Sequence, residues 1–193
     1  MSNLSSYETF NPTFSFALNF REMNRREADE YFSWFKQQIP VRIEMLQSIV
    51  GLGANISEFS PQSLTVLGNL LDENVEFRHL SGPEILHERA NSPSWFQDII
   101  PDKALSERTI SLCVDIGIAF GEMLTKCHSS LSWVFHHKQK NDANYQQPVI
   151  VGFKHKVELN PVRLLTVVAY KVADGQVGQN QLTELFYTWI RMV

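Results

Sequence analysis

Phe14, Phe16, Leu18 and Phe20 stand at alternate positions, separated by Ser15, Ala17 and Asn19, and this two-residue period predicts a half-buried strand within residues 9–20. The period changes after Asn24. Asn24 and Glu27 have the spacing of a capping box, and Ala28, Tyr31, Phe32, Phe35 and Ile39 recur at helical intervals, so a helix begins near Arg25. Pro40 lacks a backbone donor, yet Ile43, Leu46, Ile49 and Val50 continue the apolar stripe. The helix is therefore expected to kink or restart at Pro40 and to end by Gly51 and Gly53.

Ser60 followed by Pro61 pairs an N-cap with a proline in the first helical position, and Leu64, Leu67, Leu70, Leu71 and Val75 supply the apolar face of a second helix. Between Arg78 and Asp102 the chain carries Pro83, Pro93 and Pro101, which leaves room only for a short helix around Glu84 to Arg89. From Asp102 to Cys127, Leu105, Thr109, Leu112, Ile116, Ala119, Phe120, Met123 and Leu124 predict one long amphipathic helix. Leu131, Trp133 and Phe135 share one face of a strand over 130–137. A polar connection over 138–147 leads to a β-branched return strand over 148–153. Asn160 and Pro161 open a helix that runs to about Ala173, and Asn180 caps a last one bearing Leu182, Leu185, Phe186, Trp189 and Val193. Residues 1–193 thus predict a single globular domain of the α+β class. It is predominantly helical, with about six helices and a small antiparallel sheet of two or three strands.

Composition narrows this further. With 193 residues and 44% hydrophobic content the chain can bury one sizeable core without help from disulfides or a structural metal. Apolar runs as short as that over Leu164 to Ala169 fall far below the ~20 residues a membrane span needs. The opening stretch, Met1 to Thr9, is polar and holds Glu8, unlike a secretory signal, so cytoplasmic residence is expected and no membrane partner. Cys113 and Cys127 lie 14 positions apart on one predicted helix. That spacing is about 21 Å, too far for a disulfide, and both thiols are expected to be buried and inert.

The net charge of −4 is unevenly spread. Residues 55–107 hold only Arg78, Arg89 and Lys103 against nine acidic side chains, whereas residues 108–193 are net positive. An acidic surface repels phosphate backbones and steers basic partners, which makes nucleic acid an improbable ligand of the middle third. Asp72, Glu73, Glu76, Glu84, Glu88 and Asp98 are the candidate contact charges. Trp95 and Phe96, flanked by prolines and acids, are the candidate apolar anchors.

Candidate chemistry is sparse. Gly117 and Gly121 have the small-xxx-small spacing that lets helices approach closely, a core-packing feature in a soluble helix. Asp115 and Glu122, nearly two turns apart, fall broadly on one helical face and offer acid/base groups if a histidine such as His128 or His137 joins them. Glu84 and His87 have the spacing of a di-iron motif, but that chemistry needs a second copy, which the chain lacks. No HExxH, paired CxxC, phosphate-binding loop or GxSxG occurs, and neither metal nor cofactor is expected. Lys138 and Lys140, with Lys154, His155 and Lys156, would form a basic end if the two strands pair.

The run from Asp115 through Gly117, Gly121 and Glu122 to Leu124, then Ser132-Trp133, then Tyr145 to Phe153 with Pro148 leading the strand, resembles a group of small bacterial proteins of unassigned activity. Some similar proteins are immunity partners of secreted or contact-delivered toxins. The resemblance covers about 40 residues and transfers no catalytic residue. It implies a cytosolic protein that neutralises a cognate toxin domain, a basic one by the charge argument, through tight binding. The competing expectation is a small hydrolase or ligand-binding enzyme built on Asp115 and Glu122.

Overall fold

The long stripe from Leu105 to Leu124 folds as the central element of the protein. The computed structural model describes Leu4 and residues 7–51, 54–92, 101–135, 140–176 and 180–193. Among these it contains six α-helices: α1 (Arg25–Val50), α2 (Pro61–Asn74), α3 (Gly82–Asn91), α4 (Glu107–Cys127), α5 (Pro161–Ala173) and α6 (Gln181–Ile190). Four short strands, β1 (Phe77–His79), β2 (Lys103–Leu105), β3 (Ser132–Phe135) and β4 (Pro148–Val151), form two separate antiparallel pairs, β1 with β2 and β3 with β4. The fold is α+β and predominantly helical, as the periodicities predict. The sheet material is divided in two.

α4 packs against α1, α2, α5 and α6. Leu112, Cys113, Ile116, Ile118, Phe120 and Leu124 are fully buried on several of its faces, so α4 forms the axis of the core. Its contact with α5 depends on Gly117, where an added Cβ would lie 3.0 Å from the Val162 backbone. At Gly121 an added Cβ would run into the Trp133 ring, so glycine there lets the indole lie against the helix. The two glycines are packing residues, and the burial they permit offsets the ~1 kcal/mol glycine costs inside a helix.

Local signals fix most boundaries. Asn24 accepts from the Glu27 amide at 3.1 Å while the Glu27 carboxylate accepts from the Asn24 amide at 2.8 Å, completing the capping box of α1. Ser60, Ser106 and Asn160 accept from the third amide of α2, α4 and α5 in the same way.

Four expectations need correction. Residues 9–20 form no strand; they run as an irregular segment across α1. Phe10 and Phe14 pack on Trp34, at 5.2 and 5.4 Å between ring centroids, and Phe20 meets Tyr31 edge-on at 5.2 Å. The alternating aromatics therefore satisfy a helix face instead of a strand partner. Second, α1 does not restart at Pro40 but continues through it as one element, because Tyr31 and Phe35 before it and Ile43, Leu46 and Ile49 after it are all buried. Third, α4 starts at Glu107, not near Asp102, since residues 103–105 are taken up by the ladder with β1. Fourth, Cys113 is buried but Cys127, at the end of α4, is exposed; both are free thiols.

Candidate functional site

The acidic candidates lie on consecutive elements. Asp72 and Glu73 occupy the exposed last turn of α2. Burial, then the neighbouring Glu73, raise the Asp72 carboxyl above its usual range. Carboxylates at a helix C-terminus also face the negative end of the dipole, so this pair is held at some electrostatic cost. Glu76 leads into β1. Its backbone is pinned by Thr109 of α4, whose Oγ1 accepts from the Glu76 amide at 2.9 Å and donates to the Glu76 carbonyl at 3.2 Å. The Glu76 side chain is left in solvent.

α3 is unusual among the helices because none of its described side chains is buried. Glu84 ties it to the body: Arg78 of β1 donates from Nη2 to Glu84 Oε1 at 2.6 Å and from Nη1 to Oε2 at 3.2 Å. The Ser81 amide and hydroxyl donate to Oε2 at 2.8 and 2.7 Å. Together the Arg78 and Ser81 hydrogen bonds pull the Glu84 carboxyl down to about 2. Glu84 is thus committed within the chain, and Glu88, one turn on, projects from the same helix. The arm made by the end of α2, β1 and α3 carries five acidic side chains against Arg78 and Arg89.

Trp95, Phe96 and Asp98 lie outside the described residues. The arm has apolar contact groups that the sequence did not single out: Leu86 of α3 is 66% exposed, and Phe77 of β1, 39% exposed, lies 5.9 Å from the Tyr170 ring of α5. No sequence pattern marks Leu86, because a ten-residue helix with only Ile85 and Leu86 as large apolar side chains presents no stripe.

The enzyme candidates are placed differently. Asp115 is fully buried and belongs to a polar network joining α1, α4 and the N-terminal segment. Arg42 donates from Nε to Asp115 Oδ1 at 2.7 Å and from Nη2 to Oδ2 at 2.6 Å. The Tyr7 hydroxyl donates to Oδ2 at 2.5 Å and lies 2.7 Å from Ser111 Oγ. Arg42 Nη2 also donates to the Glu8 carbonyl at 2.8 Å, and the Phe10 amide donates to Ser111 Oγ. Burial raises the Asp115 carboxyl, with the Arg42 and Tyr7 hydrogen bonds opposing; burial and Asp115 raise the Tyr7 hydroxyl.

Glu122 serves a separate purpose. Its Oε1 accepts from Trp133 Nε1 at 2.9 Å, which fixes the indole that covers Gly121. Asp115 and Glu122 are therefore engaged by different partners, on α1 and on β3, and do not converge. His128 is exposed and pairs with Ser130 at 3.1 Å, while His137 lies outside the described residues. At the basic end Lys140, Lys154, His155 and Lys156 are exposed, and Lys138 is not described. Among the described residues no group of three or more His, Cys, Asp or Glu side chains is placed to hold a metal ion, and no helix is long and apolar enough to cross a membrane.

Fold and surface together define an α+β, predominantly helical protein with an exposed acidic arm. No protein-family model, no curated protein and no solved structure matches the chain.

Proposed function

We propose that this chain is a binding protein of the immunity type, which captures and neutralises a basic toxin domain in the cytoplasm through its acidic arm. The observation that supports the reading is α3: ten residues, capped and ion-paired into place, with no described side chain buried and with Leu86 66% exposed. An isolated helix of this length is marginal in water, and the described residues leave Ile85 only partly buried and Leu86 exposed. A partner that covers Leu86 and pairs with Glu88, Glu76 and the end of α2 would supply that burial. Apolar contact at the centre with charges at the rim is the usual division of labour in a tight interface. Acidic steering of a cationic target would raise the rate of capture, which suits an inhibitor that must act before its target does.

The test is co-purification of the tagged full-length chain from cells that also express the open reading frames flanking its gene. A stoichiometric basic protein, released by moderate salt and lost with Leu86→Asp, is expected. A chain that purifies alone, or with a partner indifferent to Leu86→Asp, contradicts the reading.

A further inference from the structure

We propose that the chain self-associates through α5 as an antiparallel pair of helices, one from each copy. Arg163, Val167, Tyr170 and Asp174 are all exposed and follow one another at intervals of four, three and four residues, the spacing of a heptad seam. Val167 is 47% and Tyr170 42% exposed, an apolar centre that the chain itself leaves open. Phe77, against Tyr170, extends it sideways.

The stripe is complementary to itself only in the antiparallel sense. Around a twofold axis passing between Val167 and Tyr170, Val167 meets the partner's Tyr170, and Arg163 meets the partner's Asp174, twice over. A parallel pairing would instead set Arg163 on Arg163 and Asp174 on Asp174. Such a twofold contact, with one patch used by both copies, closes at two.

The positions of the charges give a second reason. Arg163 sits in the first turn of α5, where the helix dipole favours acids, and Asp174 caps its C-terminus, where it favours bases. Neither side chain has an ion-pair partner among the described residues. Each is at the wrong end of its own helix and at the right end of an antiparallel neighbour. The stripe spans about 16 Å, so the contact is small and the dimer reversible, with Kd of about 10–100 µM.

Sedimentation equilibrium of the full chain from about 5 to about 500 µM tests this, a range chosen to bracket that affinity. Wild type is expected to pass from monomer to dimer. Arg163→Asp and Asp174→Arg should each weaken the dimer at least about tenfold through repulsion at both ends. Their equimolar mixture, and the double variant, should dimerise again. Both substitutions put a charge at the helix end that favours it, so the fold is preserved, and unchanged far-ultraviolet circular dichroism checks this. A wild type that stays monomeric throughout, or a dimer untouched by the single reversals, overturns the proposal.

Discussion

Replacing Asp115 by alanine should destabilise the protein more than any surface substitution, because it strands the Arg42 guanidinium. Arg42 is only 6% exposed and gives two of its hydrogen bonds, at 2.7 and 2.6 Å, to that carboxylate. Removing one member of a buried pair costs about 3–5 kcal/mol, a large part of the 5–15 kcal/mol that holds an ordinary domain together. With a urea slope of about 2.5 kcal/mol/M, a loss of about 4 kcal/mol lowers the unfolding midpoint by about 1.6 M. Tyr7→Phe, which removes the hydrogen bond to the carboxylate together with the hydroxyl's contact with Ser111 Oγ, should cost about 1.5–3 kcal/mol. The double replacement Arg42→Met with Asp115→Leu removes both charges and leaves neither unpaired, so its cost should fall short of the summed single costs by at least about 2 kcal/mol. Urea unfolding of wild type, Arg42→Met, Asp115→Leu and the double variant, followed by circular dichroism, gives all four corners of the cycle. Hydrogen exchange at the Phe10 amide, bonded to Ser111, reports whether the N-terminal segment is released with the network. An Asp115→Ala loss below about 1 kcal/mol with strictly additive single costs would refute the structural role given to this network.

Other consequences can be checked separately. Gly117→Ala should lower stability by about 1–3 kcal/mol despite alanine's helix propensity, since its Cβ meets backbone of α5 at 3.0 Å; thermal unfolding reads this directly. In the folded protein one thiol, Cys127, should react with iodoacetamide, and both should react in urea, as counted by mass spectrometry. Burial pushes the Cys113 thiol up to about 12, and its Sγ is directed at the Leu165 carbonyl at 3.5 Å. Glu84 should titrate near 2 by carboxyl NMR. A depressed folded value means that its attachment of α3 is fully present above the ordinary 4.5 and is lost as pH falls through about 2. Arg78→Ala should return the titration toward 4.5.

The helices were legible because their signals are local. Asn24 with Glu27, Ser60 with Pro61, Asn160 with Pro161 and the stripe on α4 each lie within a few residues and state where a helix starts or what it buries. Over residues 9–20 the alternation is ambiguous, because it marks any extended chain with one buried side, and here the cover is the aromatic face of α1, not a strand. β1 and β2, three residues each, are too short to carry a period. The Arg42–Asp115 pair joins positions 73 apart, and no local spacing announces such a contact. Asp115 was conspicuous as a carboxylate on an apolar helix, but whether it faces a cleft or an arginine depends on how α1 and α4 pack. The acidic arm was visible in outline from the charge distribution. That Glu84 is spent on Arg78, and that Leu86 is the exposed apolar group, required the fold.

The central claim is that the acidic arm steers and holds a cationic partner. Stopped-flow association of the co-purified partner with wild type and with the Glu73→Lys, Glu76→Lys, Glu88→Lys triple variant, across ionic strength, tests it most directly. The account predicts an on-rate reduced about tenfold or more at low salt and a much shallower dependence on salt, with the fold unchanged. Equal on-rates and equal salt slopes for the two proteins would contradict it.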